Sequence, residues 1–174
     1  PLDGDSWLEK LLDPQASFLH FDPWADPGGY RAVLAMILAD QYQPGLAEKL
    51  LNHPGRLIQN HGPQKPPGRD SHDYFFVYGS MAQSRGLTYS RLPEVMDLSQ
   101  DSLAEVYKTA RFKISDDLTV QGTPIAHALP VPHRAVLGQE ALEFARLFLA
   151  EDLAADYFLP RRRTAGLGLT LERA

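Results

Sequence analysis

The sequence predicts a single α+β domain over residues 1–174, with about four or five helices packed on one face of a small, mostly antiparallel sheet. Three observations carry that expectation. From the Asp26 cap to Asp40 the chain holds a helical pattern that is apolar nearly all round. Tyr74-Phe75-Phe76-Val77-Tyr78 is a run of aromatic and β-branched residues suited to a buried strand. From Phe112 the apolar period drops to two, as in an antiparallel meander.

Composition narrows the class. A chain of 174 residues with 44% hydrophobic and 22% charged residues can bury a core without staples. It contains no cysteine, which excludes disulfides, thiolate metal sites and cysteine nucleophiles. The net charge of −5 opposes nucleic-acid binding, which needs a basic footprint. Pro1-Leu2-Asp3-Gly4-Asp5 lacks the basic and apolar pattern of a signal peptide, and no apolar run reaches the roughly 18 residues of a membrane span. A cytoplasmic location, away from membranes, is therefore expected.

The elements follow in order. Ser6-Trp7-Leu8-Glu9 has capping-box spacing and opens a short helix that Asp13-Pro14 stops. Phe18 to Phe21 is a short extended run. Asp26 can cap and Pro27 suits the first turn of the second helix, where Tyr30, Val33, Leu34, Ile37 and Leu38 share a face. Pro44-Gly45 opens a third helix through Leu46, Leu50 and Leu51. Between Pro54 and Gly68, seven of fifteen residues are Pro or Gly, which reads as a long loop. Leu87 to Arg91 reads as a strand partnering Tyr74–Tyr78, and Ser102-Leu103-Ala104-Glu105 repeats the capping-box spacing ahead of another helix. Phe112–Ser115, Leu118–Gln121 and Ile125–Leu129 read as a three-stranded meander closed by Pro130-Val131-Pro132. A final helix is expected from about Gln139 to Tyr157, and Gly166 to Leu171 as an edge strand.

Candidate chemistry centres on the exit from the Tyr74–Tyr78 strand, where Gly79 and Ser80 are expected to hold a ligand. Tyr78-Gly79-Ser80-Met81-Ala82, after a buried strand, resembles the opening motif of nucleotidyltransferases, whose Gly-Ser backbone holds a triphosphate beside a magnesium-binding Asp-x-Asp pair. Here Asp97-Leu98-Ser99 offers one carboxylate. The strand and turn Val77-Tyr78-Gly79-Ser80 also resemble the first strand of γ-glutamylcyclotransferases, although here 73 residues precede Tyr74. Ser80, Asp97, His127 and His133 are the candidate catalytic groups, as nucleophile, carboxylate and bases. No His-x-x-x-His occurs, and the His-x-Asp at His20-Phe21-Asp22 lacks the many-stranded barrel that such an iron site rides on, so no metal is assigned.

Trp24, in a rigid acidic turn between two prolines, and the cluster Arg161-Arg162-Arg163 are candidate contacts. No catalytic constellation is complete. The expected function is thus an accessory or protein-interaction module with a protein partner. The alternative is a small transferase or hydrolase acting at Gly79-Ser80. Enzymatic activity, cofactor and oligomeric state are left open.

Overall fold

The computed structural model describes residues 6–59, 72–126, 136–149 and 167–171. Strands β1 (Phe18–Phe21), β2 (Arg56–Gln59), β3 (Tyr74–Tyr78), β4 (Tyr89–Arg91) and β7 (Leu167–Leu171) form one sheet in the order β2-β1-β3-β7-β4. Strands β5 (Arg111–Lys113) and β6 (Thr119–Gln121) form a separate hairpin. Helices α1 (Ser6–Leu11), α2 (Pro27–Tyr42), α3 (Leu46–Leu51), α4 (Gly79–Ser84), α5 (Glu94–Asp97), α6 (Ala104–Tyr107) and α7 (Gly138–Leu149) complete the described elements, with one 3-10 turn at Asp101–Leu103.

The broad α+β class holds, but the sheet is mixed and not mostly antiparallel. β1 runs parallel to both β2 and β3, while β7 lies antiparallel between β3 and β4. The tail strand expected at an edge is therefore interior. β4 pairs with that tail strand and not with β3. No local pattern distinguishes these outcomes, because strand partners are chosen by long-range packing.

Helices also cover both faces of the sheet. Phe18, Tyr74 and Phe76 face α2, α3 and α5 in one cluster, whereas Leu19, Phe75 and Val77 pack with Ala82 of α4 in the other. That alternation explains the uninterrupted apolar run in β3, since each residue has a buried side to enter. Helix α2 is the central helix its composition demands. Asp26 caps it by accepting from the Gly28 N–H at 2.6 Å, Pro27 opens it, and Ala32 to Met36 are all buried.

Several expectations change in detail. The Pro/Gly-rich loop contains β2, whose Leu57 and Ile58 pair with Leu19 and His20; residues 60–68 lie outside the described residues. The meander is a two-stranded hairpin. Residues 122–126 form no strand, the Ile125 N–H donates to the Leu98 carbonyl instead, and residues 127–129 lie outside the description. The Ser102 capping box does not form, because the 3-10 turn starts one residue earlier with no side-chain cap. Helix α7 begins where expected, and its continuation past Leu149 lies outside the described residues. Helices α4 and α5 have no counterpart in the sequence pattern, being too short to show a helical period.

Two interactions align the strands that matter for the site. At the start of β1, Ser17 donates its N–H (2.9 Å) and hydroxyl (3.0 Å) to the Asp73 carboxylate, and the Asp73 N–H returns a bond to the Ser17 hydroxyl. The reciprocal clasp sets the register Phe18 to Tyr74. Further along β1, His20 is fully buried. Its Nδ1 donates to the Phe21 carbonyl at 2.7 Å, and its Nε2 accepts from Arg56 Nε at 3.0 Å. Both partners require neutral imidazole with the proton on Nδ1. Burial, and secondarily the Arg56 charge, lower its pKa to about 4.

Candidate functional site at the joint exit of β1 and β3

Because β1 and β3 are parallel and in register, their chains leave the sheet side by side at one edge. Each then feeds a helix: Asp22 to Asp26 leads into α2, and Tyr78 passes directly into α4. Exits of parallel strands into helix N-termini are where open α/β sheets bind ligands, since N–H groups and the positive ends of helix dipoles point outward there.

Glycines allow the close approach. At Gly29 a Cβ would lie 2.5 Å from the Phe21 carbonyl oxygen, so only glycine lets α2 start against the backbone leaving β1. At Gly28 the same construction falls 3.0 Å from Asp26 Oδ1, 3.1 Å from Phe21 Cδ2 and 3.5 Å from Tyr78 Cε2. Three side chains from two strand exits therefore converge on the first turn of α2. Arg31, one turn further on, donates from Nη1 to the Tyr78 hydroxyl at 2.7 Å. Its guanidinium lies 5.8 Å from the Tyr30 ring centroid and 5.7 Å from that of Tyr78. Burial raises the Tyr78 pKa, which the Arg31 bond partly offsets, so the phenol stays a neutral donor at physiological pH. Next to it, Gly79 is buried and Ser80 half-buried in the first turn of α4, which no side chain caps.

The other candidates separate from this cluster. Asp97 is fully buried in α5, on the α2 side of the sheet. Its Oδ1 accepts from the Ser99 N–H at 2.9 Å and its Oδ2 from Arg91 at 3.3 Å. It braces a loop where Leu98 adopts φ 58°, and burial raises its pKa. The structure does not bring it to Ser80. His127, His133, Arg161, Arg162 and Arg163 lie outside the described residues. Trp24 is 56% exposed, with its ring centroid 5.8 Å from that of Phe112 on the hairpin. Among the described residues no group of three or more His, Asp or Glu could hold a metal ion. None of the described helices is long and apolar enough to cross a membrane.

The sequence pointed to Gly79 and Ser80 but not to Arg31 and Tyr78 as partners. The available signal was Asp26-Pro27-Gly28-Gly29-Tyr30-Arg31, where two successive glycines open an otherwise apolar helix. Glycine in that position weakens a helix, so a close approach was the physical reason to suspect.

No protein-family model matches the chain. It is similar to the molybdate/tungstate-binding protein of Pyrococcus abyssi, with 32% identity over 172 residues covering 84% of this chain and 50% of that protein. An uncharacterised solute-binding protein of Petrotoga mobilis is 29% identical over 163 residues, covering 85% of this chain and 49% of the relative. A putative ABC transporter molybdenum-binding protein of Haloferax volcanii is 36% identical over 128 residues, 72% of this chain and 42% of its own length. The chain thus spans about half the length of the curated relatives it matches. These relatives overturn the expected function. They carry the names of solute-, molybdate/tungstate- and molybdenum-binding proteins, so the protein-interaction module with an unspecified protein partner, and the transferase or hydrolase at Gly79-Ser80, are both set aside.

Proposed function

We propose that this chain is the ligand-holding part of a solute-binding protein that captures a tetrahedral oxyanion of the molybdate or tungstate kind at the joint exit of β1 and β3. The observation that supports it most is the Tyr78 hydroxyl. It accepts from Arg31 beside the N-terminus of a 16-residue helix, and so has its own proton to offer. An oxyanion needs several donors converging from fixed elements, and a neutral phenol is one that costs no counter-charge. The backbone N–H of Gly79 and the hydroxyl of Ser80 are the further donors on this reading. Asp26 is the opposing charge. Its carboxylate is bonded to the Gly28 N–H, where it offsets part of the α2 dipole.

The working compartment on this reading is outside the cytoplasmic membrane and not the cytoplasm. The partner is the membrane component of an ABC transporter, in line with the name carried by the Haloferax relative.

Calorimetric titration and thermal unfolding against molybdate, tungstate, sulfate and phosphate test the reading. An oxyanion at about 100 times its dissociation constant stabilises by about 2.7 kcal/mol. For a chain of this size that is a rise in Tm of roughly 5–10 °C. No heat and no shift with any of the four would remove the oxyanion.

A further inference from the structure

Arg31 is the cation nearest the converging side chains, yet its placement is unlike that of a residue reaching for a ligand. Its guanidinium is stacked against the Tyr30 and Tyr78 rings and spends one N–H on the Tyr78 hydroxyl. It also lines a cavity of about 130 Å³ with Tyr30, Leu34, Leu98, Gln121 and Thr123, between α2 and the β5–β6 hairpin. The guanidinium is thereby placed by two rings and one hydroxyl. A guanidinium fixed in this way is a pre-organised donor, and a bond from a cation is stronger than one from a neutral group.

The consequence falls on Tyr78. A phenol has one proton, and an oxygen that accepts from Arg31 turns that proton away from it. Donation from a cation also polarises the O–H and strengthens it as a donor.

We infer that Arg31 is a positioning residue, acting on a bound anion through the Tyr78 hydroxyl and not by touching the anion itself. The inference rests on the oxyanion-binding reading above, but one of its two tests needs no ligand. The titratable and charged groups acting on Tyr78 are Arg31, Asp26 and Tyr30, so a change at Arg31 is read against a small, known background.

The first test is a pH titration of phenol absorbance in the unliganded chain, with the Tyr78 contribution isolated by subtracting Tyr78→Phe. Arg31→Met should move Tyr78 ionisation to higher pH, and an unmoved phenol overturns the inference. Arg31→Gln serves the same purpose if the methionine variant does not fold. The second test is a double-mutant cycle on molybdate affinity. Tyr78→Phe and Arg31→Met should each weaken binding about tenfold, and the double variant no more than either alone. Arg31→Lys, which keeps a cationic donor, should recover most of the loss. An additive loss of about a hundredfold would mean that Arg31 touches the anion directly, and would sink the proposal. If the unmodified chain ignores molybdate, the ligand reading falls, and the phenol titration still decides the role of Arg31.

Discussion

Two polar clusters flank α2, and they differ in where their hydrogen bonds go. Around Asp97 the network closes on itself. Asp97 takes the Ser99 N–H and Arg91, while the Tyr107 hydroxyl accepts from the Gln100 N–H and donates to the Glu94 carbonyl at 2.5 Å. Around Tyr78 the network stays open among the described residues. Arg31 donates inward, and the phenol proton remains directed away from it. Burial of a polar group is common to both, so burial alone does not mark a functional site. A self-satisfied network fixes a loop, whereas one with a donor left over is built to meet something else.

The largest effect that would sharpen this contrast is at the entrance to α2. Gly29→Ala forces a methyl group against the carbonyls of Phe21 and Asp22, which are backbone and cannot rotate away. We expect a loss of about 3 kcal/mol or more, read as a fall in Tm together with loss of oxyanion binding. A Tm within a degree or two of the parent would show that α2 does not start against β1 as described.

Next in size is the pH dependence set by His20, which lies on β1 just before the site. Its folded pKa of about 4 is below the ordinary 6.5, so the unfolded chain binds the extra proton between these values. The stabilisation is therefore present above about pH 6.5 and lost as pH falls towards 4, an effect on the order of 3 kcal/mol. Denaturant titrations at pH 7, 5.5 and 4.5 should show the decline. His20→Gln should be less stable at neutral pH and should flatten it; an unchanged slope in that variant would assign the acid limb to other groups.

At the site itself, Tyr78→Phe removes a hydroxyl and little volume. Oxyanion affinity should fall about tenfold, or about 1.4 kcal/mol, with Tm in the absence of ligand changed by no more than a few degrees. At Asp97 the contrast predicts the reverse pattern. Asp97→Asn keeps an acceptor for the Ser99 N–H and relieves a buried charge, so stability should change by less than about 1 kcal/mol and affinity not at all. A loss of affinity there would break the distinction between the two clusters.

The smallest effect is expected at Trp24. Its half-exposed ring contributes one aromatic contact to Phe112, so Trp24→Ala should cost under about 1 kcal/mol in chemical denaturation.

Much of the local structure was legible in the chain. Asp26-Pro27 announces the start of α2, the all-apolar body announces its burial, and Tyr74 to Tyr78 can only be a strand covered on both faces. That the buried strand ends at Gly79 and Ser80 was legible. The contact of Arg31 with Tyr78 beside it was not, because the two lie 47 positions apart and no periodicity links them. The parallel pairing of β1 with β3 and the insertion of β7 between β3 and β4 were equally hidden.

The sequence by itself determined that Pro27–Tyr42 is a buried helix and Tyr74–Tyr78 a strand covered on both faces, since both depend on spacing within a few residues. Only the tertiary structure decided which strands neighbour one another, and hence that two chain exits meet at Gly28. It likewise decided that an arginine near the start of one helix would donate to the hydroxyl of a tyrosine at the start of another. Those outcomes depend on the joint packing of distant segments on both faces of one sheet, a property no local window of the chain contains.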